Sequence, residues 1–106
     1  MNHVLLLKTT GAIPKFNIGK LSITRGLKDD VDGNINIAKF VNNSLNKYTK
    51  MDWGNCCADD TELNNLAIQE GGSRVVAKYS HSKFNDIFII TESDRSHTTI
   101  LYTSEY

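Results

Sequence analysis

The last third of the chain holds three β-rich runs, residues 74–81, 86–92 and 97–103, separated only by two short polar breaks. Runs of that length, bounded by turn-forming residues, read as strands. The breaks are Ser82-Lys83-Phe84-Asn85 and Ser93-Asp94-Arg95-Ser96, and Asp94 and Ser96 suit a hairpin turn. Connections so short join antiparallel neighbours, so the runs form a meander. Its middle strand contains Ile87-Phe88-Ile89-Ile90, apolar on both faces, as expected at the centre of a covered sheet.

Something must cover that sheet, and the middle of the chain supplies helices. Ile37, Phe40, Val41, Leu45 and Tyr48 follow a helical stripe over residues 35–48, with Asn34 placed to cap it. Its polar face is rich in asparagine, so packing rather than propensity should hold it. A second helix is expected from Asp59, where Asp59 and Glu62 have capping-box spacing, with an apolar stripe of Leu63, Leu66 and Ala67 and a stop at Gly71-Gly72. Trp53 anchors the connector between the two. Upstream, residues 3–10 read as a strand ended by Gly11 and Pro14. Residues 16–25 read as a weaker strand with a bulge near Gly19, and Gly26 to Gly33, with Asp29, Asp30 and Asp32, as a loop. The expected order is ββ-α-α-βββ: one α+β domain over residues 1–106, an antiparallel sheet with a C-terminal three-stranded meander and two helices packed on one face.

Composition narrows the function. Twelve Lys and Arg balance twelve Asp and Glu, so no global field draws the chain to nucleic acid or to an anionic membrane. Direct nucleic-acid binding is therefore not expected, although net charge leaves a local basic patch open. Val4-Leu5-Leu6-Leu7 is far short of a signal-peptide core or a membrane span. Cys56 and Cys57 are adjacent and make neither a disulfide framework nor a zinc site, so a cytoplasmic protein with free, inert thiols is expected. His3, His81 and His97 belong to no ligand motif. There is also no phosphate-binding glycine loop, nucleophile elbow or carboxylate pair, so neither metal nor cofactor is expected.

Chemistry, if any, gathers at the second break. With a four-residue loop closing Glu92 against His97, the side chains of Glu92, His97 and Thr99 share one face of the sheet and those of Thr91 and Thr98 the other. A carboxylate facing an imidazole is an acid–base pair, with Arg95 able to steady a phosphate; an enzyme would use His97, Glu92, Arg95 and Thr98. Read structurally, Asp94 and Ser96 make turn hydrogen bonds, Glu92 pairs with Arg95 or His97, and the threonines are strand residues. As a binding surface, the candidates are Trp53, Asp52, Asn64, Glu92, Asp94, Arg95, Ser96 and Thr98, with Trp53 either a core cap or an aromatic hot spot. Asn64 is expected to bond the backbone around Trp53.

The segments Asp52-Trp53-Gly54, Asp60, Asn64, Gly72, Arg74, Tyr79, Ile89-Ile90-Thr91-Glu92, Asp94-Arg95-Ser96, Thr98-Thr99 and Glu105-Tyr106 resemble a family of small bacterial proteins carried on plasmids, phages and integrated elements. Phe16, Gly19, Thr24 and Gly26 extend the likeness toward the N-terminus. The chain departs from the family pattern at Tyr48, where the family has histidine, and at Met51, where it has glycine. What the resemblance implies is a mobile-element accessory protein of the class that includes anti-CRISPR and other anti-defence inhibitors. The leading expectation is thus a non-catalytic inhibitor that binds a host CRISPR–Cas effector, covering a basic nucleic-acid channel with Asp29, Asp30, Asp32, Asp59 and Asp60. The alternatives are a small ribonuclease or toxin-like enzyme acting through the hairpin end, and a sponge that binds a nucleotide signal there.

Overall fold

The molecule is described by a computed structural model covering residues 15–106. The expected strand at 3–10 lies outside the described residues. Four strands, β1 (Lys20–Ile23), β2 (Val75–His81), β3 (Phe84–Thr91) and β4 (His97–Tyr102), form one sheet, with helices α1 (Arg25–Gly33), α2 (Ile35–Thr49) and α3 (Ala58–Glu70) between β1 and β2. A short 3₁₀ turn, Thr103–Glu105, follows β4. The α+β class holds, but the strand order is β1-β4-β3-β2. β2, β3 and β4 are antiparallel neighbours, whereas β1 pairs parallel to β4 from Lys20↔His97 to Ile23↔Ile100. The sheet is therefore mixed rather than antiparallel, and three helices accompany it rather than two.

The third helix is α1, where a loop was expected. Its acidic residues face solvent, and only Leu27 and Val31, one turn apart, are buried. Its first turn is held from the far end of the chain: the Thr24 hydroxyl donates to the Glu105 carboxylate at 2.7 Å, and the Tyr102 N–H donates to the same oxygen at 2.9 Å. A carboxylate at a helix N-terminus also complements the helix dipole.

α2 follows the stripe read from sequence. Asn34 caps it by accepting from the Asn36 and Ile37 N–H groups. Ala38, Val41, Leu45 and Tyr48 meet Leu27 and Val31 of α1 in one core with Val75, Ala77, Ile87, Ile89 and Ile100 of the sheet. Tyr48, Phe16 and Trp53 pack ring to ring, with centroids 5.3–5.8 Å apart.

In α3 the expected inward stripe is turned. Leu63 is 63% exposed and Leu66 41%, while Asn64 and Ala67 are the buried residues. The helix starts at Ala58 after Cys57, so Asp59 and Asp60 occupy its first turn and no capping box forms. At the other end Gly71, with φ +76°, accepts the left-handed conformation and donates its N–H to the Ala67 carbonyl. The reason for the turn is the free edge of β2. The Asn64 amide donates to the Val76 carbonyl (2.9 Å) and accepts the Val76 N–H (3.2 Å), as a neighbouring strand would. Two residues on, the Asn55 N–H donates to the Lys78 carbonyl and the Ser80 N–H donates to Asn55 Oδ1. Edge groups that would otherwise invite another chain are thus matched by two asparagines.

Candidate functional site

The β3–β4 tip, where sequence placed the chemistry, is assembled as a joint. The Glu92 N–H donates to the His97 carbonyl at 3.1 Å, which closes the four-residue loop as expected, and Asp94 Oδ1 accepts the Ser96 N–H at 2.9 Å. Those Ser96 contacts, the hydroxyl first, hold the Asp94 carboxyl below the usual carboxylate range. Arg95, at φ +60°, folds back from the tip. Its Nη1 donates to the carbonyls of Ser73 (2.7 Å), Glu92 (3.1 Å) and Ser93 (3.4 Å), and its Nη2 to that of Ala67 (2.8 Å). One guanidinium thereby ties the end of α3, the approach to β2 and the β3–β4 turn together.

Thr98 and Thr91 are equally committed. Both are fully buried and face each other across β3 and β4. Thr98 Oγ1 donates to the Ile18 carbonyl at 2.7 Å, so it must accept from Thr91 at 2.6 Å; Thr91 in turn accepts from the Tyr48 hydroxyl at 2.6 Å, whose one proton is shared with the more distant Val75 carbonyl at 3.3 Å. The result is a directional hydroxyl chain through the core. Burial pushes the Tyr48 phenol well above its ordinary value.

The Glu92 carboxylate meets Arg74 at 3.5 Å rather than Arg95 or His97. His97 is exposed, and its Nδ1 meets the neighbouring Ser96 hydroxyl at 3.0 Å. The acid–base pair is not assembled, and the side chains of Arg95 and Thr98 are engaged within the fold. So are those of Trp53 and Asp52. Trp53 is only 3% exposed, and its indole N–H donates to Asn65 Oδ1 rather than reaching a partner; it is Asn65, not Asn64, that serves Trp53. Asp52 caps its own turn by accepting the Gly54 N–H, while its carbonyl accepts the Tyr79 hydroxyl at 2.7 Å. Cys56 is half-buried with its thiol toward the Val76 carbonyl, and burial pushes that thiol up, in keeping with low reactivity.

The surface that remains open is elsewhere. A cleft of about 470 Å³ runs between α2 and the β2–β3 hairpin. From α2 it is lined by Asn36, Lys39, Phe40, Asn43 and Lys47, and from the hairpin by His81, Lys83 and Phe84, with Asn55 and Tyr79 beneath. Three rings stand together: His81 lies 4.6 Å from Phe84 and 5.2 Å from Phe40, centroid to centroid. Among the described residues no carboxylate lines the cleft. Among the described residues the ion pairs are Arg74–Glu92 and Lys78–Asp86, so none of these three lysines is neutralised by one. A second depression, about 590 Å³, lies between α3 and the sheet face bearing Val76 and Phe88. Its cations, Arg74 and Lys78, are the ones already paired, and Asp60 also lines it. The α2–hairpin cleft is the candidate site by the unpaired lysines that line it.

Sequence reading missed the cleft because its two walls lie more than thirty residues apart in the chain. One local signal was present: no Asp or Glu occurs between Asp32 and Asp52. No family model, curated protein or solved structure matches the chain. No helix among the described residues is long and apolar enough to cross a membrane.

Proposed function

We propose that the protein acts by binding rather than by turnover, as a mobile-element inhibitor that engages a host defence complex, a CRISPR–Cas effector foremost, through the α2–hairpin cleft. The observation that carries this reading is the fate of the β3–β4 tip. Arg95 is occupied by four carbonyls, Thr98 is locked in the buried hydroxyl chain and Glu92 is drawn to Arg74. General acid–base cleavage through the expected pair needs Glu92 and His97 turned to one scissile bond, and here Glu92 is turned to Arg74 instead.

The tip therefore favours an inhibitor over a ribonuclease. The carboxylates first expected to do the covering are divided: Asp29, Asp30 and Asp32 lie on α1, which packs by β4, and Asp59 and Asp60 on α3, which packs by β2. Asp30 also accepts the Tyr102 hydroxyl. A divided acidic surface is a poorer mimic of nucleic acid than one continuous patch, which moves the proposed contact to the cleft.

The test is protection of a targeted phage or plasmid in cells expressing an effector. Wild-type protein is expected to protect, Lys39→Glu/Lys47→Glu to lose protection while keeping its circular dichroism, and His97→Ala to protect as well as wild type. Absence of protection against every effector type tried would end the reading, as would RNA cleavage that His97→Ala abolishes.

A further inference from the structure

We infer that the α2–hairpin cleft holds a single strand of nucleic acid, its phosphates on the lysines and its bases on the ring cluster; this rests on the cleft being the binding surface proposed above. Lys39 and Lys47 are eight residues apart on one helix, about 12 Å along its axis at ~1.5 Å per residue. Lys83 faces them from the hairpin. Cations strung along a channel suit a run of phosphates better than a single anion, and no carboxylate among the described residues lines the channel beside them.

The rings select the kind of strand. His81, exposed, and Phe84, half-buried, offer aromatic faces in the cleft, backed by the buried ring of Phe40, which a base can reach only when its own face is unstacked, as in a single strand and not in a duplex. The amides are placed for base edges. Asn55 spends its Oδ1 on the Ser80 N–H, which leaves its NH₂ to donate, and Asn36 and Asn43 line the same wall. The inference departs from the expectation set by net charge: cations and carboxylates cancel over the whole chain but not in this cleft. For a nucleoprotein effector, the strand held would be one that the complex exposes.

The experiment is fluorescence anisotropy with fluorescein-labelled oligouridylate and oligothymidylate of about 12 nucleotides, within the range one small domain covers. Binding is expected to weaken with salt at a log–log slope of about −2, the value for three lysines on a single strand at ~0.7 each. Lys39→Glu/Lys47→Glu should lower affinity at least tenfold and flatten the slope. Phe84→Leu, which keeps an apolar side chain but removes the ring, should weaken binding about tenfold at unchanged slope. A duplex of the same length binding equally well would overturn the inference, because the rings would then play no part. So would uridine monophosphate or inorganic phosphate competing as well as the oligomer. If neither oligomer binds at low salt while Lys39→Glu/Lys47→Glu still abolishes protection in cells, the cleft grips protein: the inference falls and the proposed function stands. If the oligomers bind but nothing is protected, the function falls and the inference stands.

Discussion

At the scale of single residues, Arg95 shows how a charged side chain at a turn can belong wholly to the fold. Its planar fork reaches carbonyls on three segments at once, and a lysine would supply one point charge to one of them. With charge-assisted hydrogen bonds contributing about 1.5–3 kcal/mol each, Arg95→Lys is expected to lower the unfolding free energy by about 2 kcal/mol or more, measured by urea denaturation. A stable Arg95→Lys protein that has lost its partner would instead return Arg95 to the binding surface. Gly19 makes a companion case. It sits at φ +61°, and an added Cβ would fall on the carbonyl oxygens of Arg95 and Ser96, which are backbone and cannot swing aside. Gly19→Ala should therefore destabilise by more than the ~1–2 kcal/mol of left-handed strain alone, read in the same denaturation series. Other polar and aromatic residues take such roles: Asp52 and Tyr79 close one turn, Glu105 holds the start of α1, and Tyr106 rests its ring on Phe88, 5.6 Å away, and accepts from Arg74. Met51 adopts φ +64°, a conformation that favours glycine.

Among the elements, the edge of β2 is where a polar side chain matters most. Asn64 gives one hydrogen bond and takes one, so the two halves of its amide can be tested apart. Asn64→Ala should cost about 1–3 kcal/mol by leaving the Val76 N–H and C=O without partners. Asn64→Asp keeps the acceptor but sets a carboxylate against the Val76 carbonyl, and should cost more at neutral pH than at pH 4; equal losses at both would show that the amide only fills space. The same element marks where sequence reading stops. α2 was legible because five apolar residues and a capping asparagine agreed on one stripe. α3 was found, but its face was misread, because periodicity sends leucines inward and has no term for an asparagine that completes a sheet edge. α1 was missed because three aspartates and two glycines outweigh Leu27 and Val31 in any local count, and because the carboxylate that steadies it lies some eighty residues away. The parallel pairing of β1 with β4 left no local trace for the same reason. At the tip the loop closure and the Thr91–Thr98 pairing were legible from register, whereas the backward fold of Arg95 depended on carbonyls that only the tertiary structure brings near. The cleft needed both of its walls.

For the whole molecule, the buried hydroxyl groups set a pH limit on the fold. Burial raises the phenols of Tyr48 and Tyr79 well above their ordinary value of 10.0. The folded state therefore keeps protons that the unfolded chain gives up once the pH passes about 10. A raised folded pKa means stability that is fully present below the unfolded value and lost as pH climbs from there toward the folded one. Each such tyrosine is expected to withdraw about 1 kcal/mol by pH 11. The informative measurement is the difference between wild type and Tyr48→Phe, in which every other ionisable group is common to both, from urea denaturation at pH 7, 9, 10 and 11. Phenylalanine keeps the ring contacts with Phe16 and Trp53 but takes away the proton that Thr91 accepts. At pH 7 the variant should be less stable by about 1 kcal/mol, because Thr91 and Thr98 lose the head of their chain. Its alkaline decline should be the shallower of the two, so the gap narrows as pH rises and closes near pH 11. A gap that stays constant across the series would mean that Tyr48 ionises as readily in the folded protein as in the unfolded chain. The directional chain from Tyr48 through Thr91 and Thr98 to the Ile18 carbonyl would then not be what joins α2 to the sheet.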